Sequence, residues 1–341
     1  VAWEELKSIP NPDIVAQHYN DFGVPSWTPL GSPTGQNVCA VVGIQRLHAI
    51  QSDGAGGAYV VWADSRVPTA VPLYAMRLLP SGVAGAPWTT NGVRISSITA
   101  GIRIVGSGAS PTGGLWLAWR DNGTSSQFMG QHVDANANFV WGASGALVAT
   151  VMPAQAEFVA ASSGDAFVTW GGNDIRCSRI SAAGARVWSE TSGRVLVTPS
   201  TGTTNTRVAS DGAGGLRLAW SFDNAAQTDV NMVRTTGGGS LWPGEPALGD
   251  TFATTPAAEE PVAWFLANTS TPLLAWLRDG VLRVRRIASG ETLGVGPGGP
   301  RSPIELAPPA PNPSRGGSLA LRFSAPHGPA RLDLFDAAGR R

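Results

Sequence analysis

The residues richest in chemistry in this 341-residue chain follow a recurring tryptophan. They are Asp64 and Arg66; Arg120, Asp121 and Asn122; Asn173 and Asp174; Asp223 and Asn224; and Arg278 and Asp279. Two carboxylates about 5–10 Å apart could run acid–base chemistry on a glycosidic bond. A carboxylate with an arginine cluster could hold an anionic ligand through charge-assisted hydrogen bonds. The same groups could instead pair with each other and tie loops together. Recurrence of Asp with Arg (Asp64/Arg66, Arg120/Asp121, Arg278/Asp279) favours such structural ion pairs, which mimic functional sites. The set nonetheless supplies the ligand-binding candidates: Asp64, Arg66, Arg120, Asp121, Asn122, Asp174, Asp223, Asn224, Arg278 and Asp279.

Other chemistry is sparse. The four histidines (His18, His48, His132, His327) show no metal-ligand spacing, and Cys39 and Cys177 stand alone in separate parts of the chain. Neither a Gly-x-Ser-x-Gly nucleophile elbow nor a glycine-rich phosphate loop opening a helix is present. No catalytic residue, metal site or cofactor is expected. Formal net charge is zero, which gives no electrostatic case for nucleic acid or an anionic membrane. No apolar run is long enough to span a membrane as a helix.

The elements that must position these residues come from a repeat. Ser52-Asp53-Gly54-Ala55-Gly56-Gly57-Ala58-Tyr59-Val60-Val61-Trp62 returns as Ser210-Asp211-Gly212-Ala213-Gly214-Gly215-Leu216-Arg217-Leu218-Ala219-Trp220. Weaker copies end at Trp119, Trp170 and Trp276, and the chain opens inside another, Val1-Ala2-Trp3. It therefore reads as a piece of a longer protein, and the lack of a visible signal peptide excludes nothing. A second tryptophan follows each of the first five: Trp27, Trp88, Trp141, Trp188 and Trp242.

Each repeat reads as four short strands. The Asp-Gly-Ala-Gly-Gly turn joins the first to the second, with its aspartate (Asp53, Asp211) capping its own backbone. The residue before the strand-ending tryptophan is small or β-branched in every copy: Ala2, Val61, Ala118, Thr169, Ala219 and Ala275. Four antiparallel strands at a period near 50 residues predict the blades of a β-propeller. Separate β-sandwich domains would need about 100 residues each. Six copies are present, the first without its opening strand, which implies six or seven blades. In a closed ring, Pro303-Ile304-Glu305-Leu306 could supply that strand. Innermost strands should be short, and Trp62, Trp119, Trp170, Trp220 and Trp276 should be wedged between blades. Trp116 and Trp264 fall outside the pattern and are the better tryptophan candidates for ligand contact, though a structural role is favoured for both.

Composition divides the chain into a propeller at residues 1–293, a Gly/Pro-rich linker at 294–313 and the start of a further β module at 314–341. Pro311-Asn312-Pro313, the strand ending Arg322-Phe323, and Ala330-Arg331-Leu332-Asp333-Leu334-Phe335-Asp336-Ala337-Ala338-Gly339-Arg340 resemble the opening of a C-terminal module. That module is an Ig-like module of secreted bacterial proteins, related to the FlgD-type Ig-like domain and to the type IX secretion sorting domain. The resemblance covers about 30 residues and implies an extracellular or cell-surface setting, with attachment through sequence beyond the present C-terminus. The Ser-Asp-Gly-Ala-Gly-Gly…Trp repeats are similar to propeller repeats found before that module. The expected role is a non-enzymatic binding, adhesion or scaffold module for an extracellular glycan or protein. The alternative is a glycan-active hydrolase or lyase with its site at the channel mouth.

Overall fold

The structure is a computed structural model. It describes residues 1–8, 11–20, 22–27, 35–67, 71–96, 102–121, 127–151, 153–161, 163–199, 203–223, 227–243, 250–256, 264–266, 273–278, 281–286 and 304–305. From residue 244 onward only strand placement is described. The segment 314–341 lies outside these residues.

Every described element is a β-strand, and each strand pairs antiparallel with its neighbour in sequence. The first sheet holds β1 (Ala2–Ser8), β2 (Asn11–Ala16) and β3 (Gln36–Cys39). The second holds β4 (Gln45–Ser52), β5 (Ala58–Asp64), β6 (Leu73–Leu78) and β7 (Val93–Arg94). The third is β8 (Ile102–Ala109), β9 (Leu115–Asp121), β10 (Gln127–Val133) and β11 (Ala146–Ala149). The fourth is β12 (Glu157–Ala160), β13 (Ala166–Trp170), β14 (Ile175–Ile180) and β15 (Arg194–Val197). The fifth is β16 (Thr203–Ser210), β17 (Leu216–Asp223), β18 (Gln227–Thr235) and β19 (Asp250–Pro256). The sixth is β20 (Trp264–Leu266), β21 (Leu273–Arg278), β22 (Val281–Arg286) and β23 (Ile304–Glu305).

The first strand of each sheet packs on the first strand of the next: β4 on β8, β8 on β12, β12 on β16 and β16 on β20. The chain is thus an all-β propeller of four-stranded antiparallel sheets whose innermost strands line a common channel. The first sheet lacks an innermost strand, so β1 and β2 pack directly on β4. Ile304 and Glu305 do not supply that strand. They pair with Val284 and Arg283 and form the outer edge of the last sheet. A strand completing its own sheet needs only a short return from β22, whereas closing the first sheet means reaching across to another unit.

Tryptophans hold the sheets face to face. Trp62, Trp119, Trp170 and Trp220 are at most 4% exposed. Each sits in an apolar cluster shared with the preceding sheet: Trp62 with Ile14 and Val38, Trp170 with Phe128 and Val148. Within its own sheet, the same indole covers the glycine of the third-to-fourth-strand loop, as Trp62 does at Gly92 and Trp170 at Gly193. The second tryptophan clips the next sheet. Trp27 Nε1 donates to Pro80 O (2.8 Å), Trp88 Nε1 to Ala135 O (2.9 Å) and Trp141 Nε1 to Ala182 O (3.3 Å). Trp116 is 2% exposed and stacked on Phe158, so it is core rather than a ligand platform. Trp264 begins β20, and its side chain lies outside the described residues.

Innermost strands vary in length: β12 runs four residues and β20 three, as the repeat predicts, but β4, β8 and β16 each run eight. In all three the register shifts once, between Leu47 and Ala49, Ile104 and Gly106, and Thr204 and Arg207. A bulge adds twist without ending the ladder, so the strand continues past the tryptophan to the channel mouth.

Candidate functional site

Two ends of the ring carry charge, and they differ in kind. At one end lie the first-to-second-strand turns. Asp53 Oδ1 accepts from the backbone N–H of Ala55 and Gly57, while Oδ2 takes Arg77 Nε and Nη2 at 3.0 and 2.9 Å. Asp211 repeats this with Ala213, Gly215 and Arg234. A third copy of the ion pair joins Asp165 to Arg179. Asp53 and Asp211 cap their turns, as their sequence implies, and all three arginines come from the third strand of the same sheet.

The opposite end carries the residues singled out from the sequence. Asp64 is fully buried and accepts from Trp62 Nε1 (2.9 Å), Arg66 N (2.8 Å) and Arg66 Nη2 (2.5 Å). Arg66 also donates to Asn91 O and lies over the Tyr74 ring, 4.0 Å from its centroid. Burial pushes the Asp64 carboxyl up, but hydrogen bonds from Arg66 and Trp62 outweigh it and hold the group below its ordinary value. Asp174 and Arg176 repeat the clip: they pair at 2.8 Å, and Arg176 reaches Ser192 O and Gly193 O. In both sheets the pair ties the second-to-third-strand loop to the third-to-fourth-strand loop. Asp64, Arg66 and Asp174 are accordingly engaged in structure.

Arg120 and Asp121 end β9 and pair in register with Arg103 and Ile102. Asp223 ends β17 and Arg278 ends β21, and the side chains of Asp121, Asp223 and Arg278 lie outside the described residues. Asn122, Asn224 and Asp279 lie outside them altogether.

At this same end, a cavity of about 580 Å³ opens between the third, fourth and fifth sheets. Its polar lining is Arg103, Gln155, Glu157, Thr206 and Arg207, with Trp170 in the wall. Glu157 Oε2 accepts from Val208 N (2.8 Å), and Oε1 lies 3.3 Å from Arg207 Nη1. Burial raises the Glu157 carboxyl above its ordinary value, and the Val208 N–H and Arg207 offset that only in part. Arg103 lines the cavity with no hydrogen bond or ion pair to any described residue. Beside it, burial and the Arg103 charge lower His48, against an opposing pull from Glu4, so its imidazole is neutral at pH 7.

Sequence reasoning missed Arg103, Glu157 and Arg207. A weak signal existed. Arg46 and Arg103 stand sixteen residues before Trp62 and Trp119, and Glu157 and Arg207 stand thirteen before Trp170 and Trp220. Among the described residues no group of three or more His, Cys, Asp or Glu side chains could hold a metal ion, and no helix is long and apolar enough to cross a membrane.

No protein-family model and no curated protein sequence matches the chain. Solved structures similar in fold include the PQQ-bound aldose sugar dehydrogenase of Streptomyces coelicolor, at 14% identity, TM-score 0.41, covering 79% of this chain and 83% of that one. An ulvan lyase, described as a new family of polysaccharide lyase, is 12% identical with TM-score 0.46, covering 82% and 76%. The putative exo-β-1,3-galactanase of Bifidobacterium bifidum is 11% identical with TM-score 0.38, covering 87% and 93%.

Proposed function

We propose that this propeller takes a carbohydrate chain into the channel-mouth cavity between its third, fourth and fifth sheets. The observation that carries the reading is the cavity itself. Its volume is that of a small-molecule site, and Arg103, Gln155, Glu157, Thr206 and Arg207 offer donors and acceptors beside the edge of Trp170. An aromatic wall with convergent polar groups suits a sugar, which has an apolar face and a rim of hydroxyls. Arg120, the cross-strand partner of Arg103, belongs to the same proposed site.

The arrangement favours a glycan-active hydrolase or lyase. Glu157 with Arg103 and Arg207 puts a carboxylate and arginines at the channel mouth, and that supports the reading. A carboxyl raised by burial holds its proton closer to neutral pH, which suits proton donation to a leaving group. A binding or adhesion module is the second reading. It is favoured by the ties from Arg207 and Val208 N, which could keep Glu157 purely structural. The resemblance of residues 311–340 to a module of secreted proteins supports an extracellular or cell-surface setting for either.

A glycan array probed with the propeller, with product release followed in parallel, decides between them. For an enzyme, Glu157→Gln should lower kcat about 10²–10⁴-fold and leave KM nearly unchanged. Retention of a glycan without turnover, unchanged in Glu157→Gln, would assign the binding role. Retention of no glycan would remove both readings.

A further inference from the structure

The third sheet contains an arrangement that costs stability in the free protein. Arg103 on β8 and Arg120 on β9 are direct cross-strand partners, so their side chains leave the same face of the sheet next to each other. Like charges in that position repel, and proteins ordinarily place a carboxylate between them. Here no described residue does so. Neither arginine has a hydrogen bond or ion pair among the described residues, and Arg120 Nε is buried without a partner. The carboxylate that shares the cavity, Glu157, has its Oε1 beside Arg207 and its Oε2 on Val208 N.

The shared face points at the fourth sheet. Phe128 stands opposite Arg120 on β10 and meets Trp170 edge-on, with centroids 5.3 Å apart. Arg103 and Trp170 both line the cavity. The two side chains therefore leave one sheet face, where Arg103 and Trp170 border space large enough for a ligand and Arg120 stands beside Arg103.

We infer that Arg103 and Arg120 form an anion-binding subsite of the channel-mouth cavity, which takes the carboxylate or sulfate ester of an acidic sugar residue. The inference rests on the glycan reading above and narrows it to acidic polysaccharides. Two guanidinium forks can each offer paired N–H donors to such an oxyanion. The bound anion would supply the counter-charge that no described residue provides. A neutral sugar in the same place would leave the repulsion standing, so charge on the ligand becomes the determinant of specificity.

The test compares native protein with Arg103→Gln, an exposed position where the replacement keeps the aliphatic stem and a polar end but removes the charge. Binding of three oligosaccharides of equal length is measured: one bearing glucuronate, its carboxyl-reduced neutral counterpart, and one bearing sulfate esters. Inorganic sulfate is added separately in a thermal melt. The expected result is at least about tenfold weaker binding of whichever acidic oligosaccharide binds the native protein, equivalent to about 1.4 kcal/mol. Any binding of the neutral one should be unchanged. Ligand-free Arg103→Gln should melt no lower than native protein, because the change removes repulsion. Equal binding of acidic and neutral oligosaccharides, unaffected by Arg103→Gln, would overturn the subsite and leave the glycan reading intact. A ligand-free melting loss in Arg103→Gln would also overturn it, since Arg103 would then have a counter-ion of its own. If sulfate raises the melting temperature of native protein but not of Arg103→Gln while no oligosaccharide binds, the subsite stands and the glycan reading fails.

Discussion

Trp62 Nε1 donates to Asp64 Oδ2 at 2.9 Å from the same face of a single strand. The tryptophan that wedges two sheets apart thus also anchors the first carboxylate of the loop that follows. Period-two alternation makes this pairing local: residues two apart on a strand share a face. Removing the N–H while keeping a ring, in Trp62→Phe, should cost about 1–3 kcal/mol through the unsatisfied buried carboxylate. Trp62→Ala should cost about 3–5 kcal/mol through the lost volume. Denaturant midpoints at constant slope measure both, and a Trp62→Phe variant as stable as native protein would mean the hydrogen bond contributes nothing.

Acid should unfold the protein through its buried aspartates. Asp53 and Asp64 are both held below the ordinary value of 3.8. For each, burial is the largest single influence and acts upward, and hydrogen bonds to backbone amides and arginine overcome it. A depressed folded value contributes stability that is full above the unfolded value and is lost as pH falls through the folded one. Glu157 has the opposite sign. Its raised value favours the folded state below 4.5, and that contribution is lost as pH rises through the folded value. Melting temperature against pH should therefore drop steeply below about pH 4 in native protein and less steeply in Asp64→Asn.

Gly92 and Gly54 separate backbone strain from packing. Both hold positive φ, at 78° and 74°. A Cβ at Gly54 meets nothing within 4 Å, whereas one at Gly92 runs into the Trp62 indole. Gly54→Ala should cost about 1–2 kcal/mol, the left-handed backbone alone. Gly92→Ala should cost distinctly more, because the indole it strikes is wedged between sheets and cannot retreat. Similar losses at both sites would show that the indole yields.

Both cysteines should be inert in the folded protein. Burial raises Cys39 to about 11 and Cys177 to about 12, so almost no thiolate exists at neutral pH. A thiol reagent at pH 7 should label neither residue until denaturant is added. Rapid labelling of Cys39 in native protein would mean the first and second sheets open locally.

The sequence by itself determined what every unit shares. Tryptophan spacing, the Asp-Gly-Ala-Gly-Gly turns and the small residue before each tryptophan recur because each sheet solves the same packing problem against its neighbour. The four-stranded propeller blade, the burial of Trp62 and Trp220 and the capping role of Asp53 and Asp211 could all be read from that recurrence. Asp64 with Arg66 was legible as a structural pair for the same reason. Trp116 stood out only as a break in the repeat, and its structural role is fixed by Phe158 in the next sheet. The cavity was decided by tertiary structure alone. Arg103, Glu157 and Arg207 come from three different sheets, and they meet only because β8, β12 and β16 pack side by side. Period analysis reports what is repeated, whereas a ligand site consists of side chains that differ from sheet to sheet and converge across a channel.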